Sequence, residues 1–229
     1  MSDAVAVGVF ASGGGSNLQA LLDQLDPALA RLALVVSDRA DARALERGRA
    51  AGARTLVVPM ADRPASVAGD EMIDALRAAG VRLIALAGFI RKVPEDVVRR
   101  WSGRILNVHP ALLPAFGGKG MYGQRVHAAV LEARAKVTGV TVHLVDEEYD
   151  RGPILAQWPV PVDAGDTPET LAARVLRVEH LLYPAVVEAA ARAYLRGDEV
   201  AAITWRAPDA WAGGDEPDRQ GVRRALGLD

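Results

Sequence analysis

The sequence predicts an α/β protein built on a single doubly wound, mostly parallel sheet. Short segments rich in Val, Ile and Leu alternate along the chain with amphipathic helical segments, as in successive βαβ units. Residues 4–11 and 81–87 are apolar throughout, which is typical of strands covered on both faces. Prolines 159 and 161 place a later strand at an edge of the sheet, because proline cannot donate to a ladder.

The first half of the chain alternates regularly between predicted strands and predicted helices. The strands are residues 4–11, 32–37, 54–58, 81–87 and 104–108. The helices are residues 18–24, 41–51, 70–79 and 94–101, with a loop expected at 60–69. Pro94 suits the first turn of the last of these helices, where its missing N–H costs nothing.

The second half is predicted to add an antiparallel edge and a long helix. A glycine-rich loop at 117–123 precedes a helix at 124–134, and two strands follow at 139–145 and 154–162. Thr167 is a suitable N-cap for a helix running to residue 194. Residues 199–204 are predicted as a last strand within a peripheral tail, 196–229, that contains Trp211, Gly213 and Gly214.

Composition narrows the function classes. The chain has 229 residues and no cysteine, which excludes disulfides, zinc–thiolate sites, iron–sulfur clusters and a thiol nucleophile. A net charge of −2 gives no basic field for nucleic acid or acidic lipid. We expect no signal peptide and no membrane span, because no apolar run approaches the length of about 18 residues that a span needs. A cytoplasmic location is expected.

Two strand ends carry candidate binding groups. A glycine-rich turn, Ser12-Gly-Gly-Gly-Ser-Asn17, joins the first strand to a helix, and such a turn can cradle a phosphate with its N–H groups. A plain tight turn is the alternative interpretation. Asn107 and His109, two residues apart, share one face of the fifth strand at its carboxyl end, where open α/β sheets bind ligands. A hydrogen-bonded structural pair is the alternative there.

Further candidates lie in later loops and strands. The loop at 88–93 is apolar and then basic, which suits a flat ring with an acidic tail, although a surface position for its basic residues is the simpler reading. Four carboxylates occur between residues 146 and 150 without the spacing of a calcium loop, so one functional carboxylate is expected, at Asp150. His143 lies inside a strand and is expected to be structural.

The candidate groups suggest a reaction at a carbonyl. An amide N–H and an imidazolium can together stabilise an oxyanion, and a nearby carboxylate raises the pKa of a histidine and favours its charged form. The Gly-x-Ser-x-Gly nucleophile motif is absent. The pattern therefore favours direct acyl transfer to a bound amine, without a covalent enzyme intermediate.

Four motifs in order resemble those of the phosphoribosylglycinamide formyltransferases, folate-dependent transformylases of purine synthesis, over residues 4–195. They are Ser12-Gly-Gly-Gly-Ser-Asn-Leu-Gln19, Ala87-Gly-Phe-Ile-Arg91, Asn107-Val-His-Pro-Ala-Leu-Leu-Pro114 and Gly139-Val-Thr-Val-His followed by Asp150-Arg-Gly152. The resemblance implies one formyltransferase domain, 1–195, with a phosphate-binding part at about 1–105 and a folate-binding and catalytic part at about 106–195. It implies formyl transfer from 10-formyltetrahydrofolate to glycinamide ribonucleotide, with no metal.

The resemblance also implies roles for individual residues. Asn107 and His109 would stabilise the tetrahedral intermediate, and Asp150 would raise the pKa of His109 and help to move protons. The ribonucleotide would contact Gly15, Ser16, Asn17 and Glu179. The folate would contact Asn107 and a pocket lined by Ile90, Arg91, Lys92 and Val93. The expected partners are small molecules, with neither nucleic acid nor membrane, and the chain is expected to be a monomer or a homodimer.

Three alternatives remain open at this point. A methionyl-tRNA formyltransferase would need an additional C-terminal domain and a basic face, and neither is expected here. A formyltetrahydrofolate hydrolase would add an N-terminal regulatory domain, whereas the first strand begins at about Ala4. A non-catalytic sensor of a phosphorylated metabolite would not need Asn107, His109 and Asp150.

Overall fold

A computed structural model describes residues 4–206 and 217–228 and contains one seven-stranded sheet. The strands are β1 Val5–Phe10, β2 Ala30–Ser37, β3 Arg54–Val57, β4 Leu83–Leu86, β5 Ile105–His109, β6 Val137–Leu144 and β7 Ile154–Pro161. The helices are α1 Ser16–Gln24, α2 Arg43–Ala50, α3 Ala65–Ala78, α4 Glu95–Arg100, α5 Gln124–Glu132, α6 Pro168–Arg196 and α7 Arg219–Ala225.

The strand order β3-β2-β1-β4-β5-β6-β7 confirms the predicted fold class. β1 to β5 pair in parallel, whereas β6 and β7 add an antiparallel edge. The chain moves outward from β1 to β3 and then returns to the other side of β1 with β4. This reversal opens a crevice at the carboxyl ends of β1 and β4, the usual ligand position in such sheets.

Apolar residues cover both faces of the sheet, which explains the uninterrupted apolar strands. Every residue of β1 is buried. One core contains apolar residues of α1, α6 and α7, and the other contains apolar residues of α3 and α4. None of the helices in the described part of the chain is long and apolar enough to cross a membrane.

One predicted helix start and one predicted strand were wrong. Helix α3 begins at Ala65 rather than at residue 70, because Pro64 at its N-cap starts the helix within the segment that looked polar. Residues 199–204 do not form a strand; Val200–Ala202 is a 3-10 helix instead. The N–H groups of Ala202 and Ile203 bond locally to Glu199 and Val200, so this segment has no need of a sheet partner.

The end of the chain is not peripheral where the structure describes it. α7 packs on α6, and Val222, Leu226 and Leu228 are buried in the larger core. The carboxylate of Glu188 on α6 accepts hydrogen bonds from Arg223 of α7 and from the backbone N–H of Asp26. Residues 217–228 are therefore part of the folded domain, while Trp211, Gly213 and Gly214 lie outside the described residues.

Candidate functional site

The predicted polar pair lies at the carboxyl end of β5, and β6 brings a third side chain beside it. The antiparallel register places His143 directly opposite Asn107, and Asn107 Nδ2 is 3.1 Å from His143 Nε2. His143 Nδ1 lies 2.8 Å from the carbonyl oxygen of Leu144. Since that carbonyl can only accept, Nδ1 carries a proton.

Asp150 joins the two histidines. Its Oδ2 is 3.6 Å from His109 Nδ1, and its Oδ1 is 3.5 Å from His143 Nε2. The loop carrying it turns back tightly at Gly152, where a Cβ would lie 1.9 Å from the Leu144 carbonyl oxygen. The structure therefore brings together the three predicted catalytic residues and adds His143. His143 ends the motif Gly139-Val-Thr-Val-His, but the sequence analysis expected it to be structural.

The glycine-rich loop after β5 contacts both members of the His–Asp pair. His109 Nε2 is 2.9 Å from the Phe116 carbonyl oxygen, and the Gly118 N–H donates to Asp150 Oδ2 at 2.8 Å. Between them, Gly117 has no room for a side chain, because a Cβ would lie 2.5 Å from Leu113 Cδ2. The sequence predicts a glycine-rich loop here, and in the structure the start of this loop forms one wall of the site.

The net pKa shift of His109 is opposite to the predicted one. Burial lowers the pKa of His109, and this effect outweighs the attraction of Asp150, which raises it as expected. The ring is only 3 % exposed, so water cannot stabilise the imidazolium. Burial alone would raise the pKa of the Asp150 carboxyl, but the His143 ring, the Gly118 N–H and the charge of His109 together lower it.

The glycine-rich turn after β1 leaves the start of α1 open. Gly15 occupies the N-cap position with φ +72°, and a Cβ there would lie 2.9 Å from Ala44 Cα, so both conformation and space require glycine. No side chain caps the helix, and its first turn carries no acidic residue. Ser16 is exposed at this end. The free N–H groups and the helix dipole therefore favour an anion.

Two of the predicted ribonucleotide residues contact each other across the fold. Asn17 Nδ2 donates to Glu179 Oε2 at 2.6 Å, although the two residues are 162 positions apart. Burial raises the pKa of the Glu179 carboxyl, against the smaller effect of the Asn17 amide. Asn17 Oδ1 is buried and has no hydrogen-bond partner.

Tyr183, which the sequence reading missed, anchors Glu179 to the site. It lies one helical turn beyond Glu179 on α6, and its hydroxyl is 2.9 Å from the carbonyl oxygen of Leu86 and 3.0 Å from that of Leu106. Leu86 is the last residue of β4 and Leu106 lies near the start of β5, so the hydroxyl holds α6 against the two strands that lead into the site.

The loop after β4 exposes most of its predicted folate residues. Ile90 is 49 % exposed and its N–H donates to the buried Ser12 hydroxyl, which ties this loop to the turn after β1. Arg91 lies 3.8 Å from Asp38 and Lys92 lies 3.8 Å from Glu95, and both basic side chains are solvent-accessible. The fourth of these residues, Val93, is not exposed.

Val93 is buried in the smaller core and contributes packing instead of an exposed wall.

Among the described residues, no group of three or more His, Asp or Glu side chains is arranged to hold a metal ion.

Fold and site together define an α/β protein that places an amide, two imidazoles and a carboxylate around the carboxyl end of β5 in a doubly wound sheet whose first helix has an open N-terminus. The formyl transferase family matches residues 5–187. The chain belongs to the formyl transferase family.

Individual relatives carry more specific names. A phosphoribosylglycinamide formyltransferase of Bacillus subtilis is 39 % identical over 183 residues, which is 79 % of this chain and 91 % of the relative. A chloroplastic phosphoribosylglycinamide formyltransferase of Arabidopsis thaliana is 48 % identical over 79 % of this chain. This chain spans 63 % of the length of that plant relative. Glycinamide ribonucleotide transformylase 1 of Symbiobacterium toebii superposes with a TM-score of 0.76 at 41 % identity, covering 84 % of this chain and 90 % of that chain.

Proposed function

We propose that this protein transfers the formyl group of 10-formyltetrahydrofolate to the amine of glycinamide ribonucleotide, a step of de novo purine synthesis. The products are formylglycinamide ribonucleotide and tetrahydrofolate. One observation carries the proposal: Asn107, His109 and Asp150 converge at the carboxyl end of β5, on the same side of the sheet as the open N-terminus of α1 that follows β1. The three residues proposed to act on the formyl carbonyl and the helix N-terminus proposed to bind the phosphate thus face the same crevice.

The reaction moves one proton in all. The amine nitrogen attacks the formyl carbon, a C–N bond forms, and the carbonyl π electrons move to oxygen. Asn107 retains an amide N–H beyond the one facing His143 and donates it to the oxyanion. The attacking nitrogen loses its proton to His109. The carbonyl then re-forms, the bond to N10 of the folate breaks, and N10 receives that proton.

The binding roles follow the same division of the site. Gly15, Ser16 and Asn17 hold the phosphate, and Glu179 contacts the ribose or glycinamide part after Asn17 releases it. The folate lies against Ile90, Arg91 and Lys92, with Asn107 beside its formyl group and Val93 supporting the loop from the core. The proposed reaction needs no metal. The partners are small molecules alone, and the protein acts in the cytoplasm as a monomer or a homodimer.

The decisive assay mixes the protein with 10-formyltetrahydrofolate and glycinamide ribonucleotide and follows the release of tetrahydrofolate. We expect release that depends on the amine substrate, together with formylated ribonucleotide in equal amount. Release without the amine substrate would identify a formyltetrahydrofolate hydrolase instead. Ribonucleotide binding without any turnover would identify a non-catalytic phosphometabolite-binding protein.

A further inference from the structure

We infer that Arg47 of α2 is a positioning residue for the glycine-rich turn after β1, and that its charge helps this turn to hold a phosphate. Its Nε–H donates to the Gly14 carbonyl oxygen at 3.0 Å, and its Nη1 donates to Gln19 Oε1 at 2.6 Å. Asp23 orients that amide by accepting from Gln19 Nε2 at 2.8 Å. The phosphate of a ribonucleotide as the ligand rests on the proposed function, whereas the preference of the turn for an anion does not.

The carbonyl groups of the turn are occupied by donors from within the protein. The three successive carbonyl oxygens of residues 13–15 all accept hydrogen bonds. Two of the donors belong to α2: the N–H of Ala44, 3.1 Å from the Gly13 oxygen, and the side chain of Arg47. The third bond is the first backbone bond of α1. Helix α2 therefore determines which way the carbonyl groups of the turn point.

The N–H groups of the same segment are left open. Within the part of the chain that the structure describes, none of the six N–H groups of residues 13–18 donates to a protein acceptor. Successive N–H groups in a turn, at the start of a helix, form a site for an anion. The segment thus offers donors without competing acceptors, because its carbonyl groups are already engaged.

Glycine makes this arrangement depend on the contacts from α2. Gly13 and Gly14 are exposed, and a Cβ at either position would meet no atom within 4 Å, so no side-chain packing fixes the peptide groups there. Rotation of the peptide group between Gly14 and Gly15 would exchange the directions of its N–H and its carbonyl oxygen. An oxygen would then stand among the free N–H groups and repel an anion. The hydrogen bond from Arg47 opposes this rotation.

Arg47 also places a positive charge beside the open end of α1. Its Cδ lies 3.4 Å from the Cβ position of Gly15, the N-cap of that helix. A guanidinium has five N–H donors, and the contacts to Gly14 and Gln19 use two of them. Arg47 forms no ion pair with a carboxylate among residues 4–206 and 217–228, so its charge adds to the helix dipole in attracting an anion.

The test compares Arg47→Met with Arg49→Met. Methionine retains an unbranched side chain of high helix propensity and removes both the donors and the charge. Arg49 lies in the same last turn of α2, is exposed, and makes no side-chain hydrogen bond to the described residues, so it controls for the loss of one arginine from this helix end. Arg47→Lys restores the charge without the planar donor group. Thermal unfolding checks that each variant is folded.

The first readout is the calorimetric binding of ribose 5-phosphate to the full-length protein, which requires no formyl transfer. We expect Kd for Arg47→Met to be about tenfold above that of the wild type, the scale of one lost charge near a protein surface. Arg49→Met should match the wild type, and Arg47→Lys should lie between the wild type and Arg47→Met. No binding by the wild type, or equal Kd values for Arg47→Met and Arg49→Met, overturns the inference. A lysine variant as weak as Arg47→Met overturns the contribution of charge.

The second readout separates a role toward the phosphate from a general distortion of the turn. The Ile90 N–H donates to the hydroxyl of Ser12, where the turn begins, so a distorted turn would also disturb the proposed folate loop. We therefore expect Kd for tetrahydrofolate to be the same in the wild type and Arg47→Met. Similar weakening of both ligands overturns the inference in favour of a structural role.

The formyl-transfer assay provides a third readout. KM for the ribonucleotide should rise about tenfold in Arg47→Met while kcat stays nearly unchanged, because the reacting groups lie at the end of β5 and not at this turn. A fall in kcat with an unchanged KM contradicts the inference. If the wild type shows no transfer at all, the proposed function fails, while the binding of ribose 5-phosphate still decides the role of Arg47.

Discussion

The contact between α6 and α7 provides a quantitative test of how the end of the chain contributes to the fold. The Glu188 side chain is 1 % exposed and its partner Arg223 is 22 % exposed. Arg223→Ala leaves the Glu188 carboxylate buried with one remaining donor, the Asp26 N–H at 2.7 Å. It also removes a hydrogen bond of 3.1 Å from Arg223 to the Leu228 carbonyl.

The expected loss follows from the burial of the charge that remains. Removing one partner of a buried ion pair costs about 3–5 kcal/mol, because the other charge is left unpaired away from water. The retained Asp26 bond and the partial exposure of Arg223 favour the lower end, about 3 kcal/mol. For a chain of this length, the melting temperature should fall by about 6–12 °C.

The assay is thermal unfolding followed by circular dichroism, with Arg224→Ala as the matched control. Arg224 is the next residue of α7, is exposed, and forms no ion pair with any described residue. Adding Glu188→Gln to Arg223→Ala should recover part of the loss, since a neutral amide leaves no buried charge. A melting temperature for Arg223→Ala equal to that of Arg224→Ala would refute the reasoning.

Three further predictions concern the site. His109→Ala should lower kcat about 10²-fold while ribonucleotide binding, measured by calorimetry, stays nearly intact; equal turnover would contradict the mechanism. Asp150→Asn should move the acidic limb of the kcat profile to lower pH, because the carboxylate raises the pKa of His109 and its loss lets burial lower that pKa further; an unmoved limb would reject the coupling. Gly117→Ala should cost about 1–3 kcal/mol of stability through its clash with Leu113, whereas Gly165→Ala, with open space around its Cβ, should be neutral by chemical denaturation.

Local patterns were sufficient for much of the fold and part of the site. The period of two along β5 placed Asn107 and His109 on one face, and the proline that follows marked the strand end. Continuous apolar runs indicated a parallel sheet covered on both sides, as found. The start of α3 was missed because polarity at 60–69 was given more weight than Pro64, which is a strong helix-start signal.

Contacts between distant segments decided what local patterns left open. His143 joined the site through the β5–β6 register, which pairs it with Asn107. The burial of α7 depended on Glu188, which lies far from it in sequence. The residues next to each contact do not indicate it, so the sequence predicted a structural role for His143 and a peripheral position for the end of the chain.

By itself, the sequence determined which residue types stand at the strand ends: an amide and an imidazole on β5, a carboxylate after β6, and glycines in the turn after β1. Only the tertiary structure decided their state. His109 is buried deeply enough that desolvation outweighs the attraction of Asp150, so its pKa is lowered instead of raised. The Phe116 carbonyl oxygen lies within hydrogen-bond distance of Nε2 of the His109 ring, and Nδ1 of that ring faces Asp150. Desolvation and hydrogen-bond direction depend on atoms brought together from across the chain, and those distances are set by the fold.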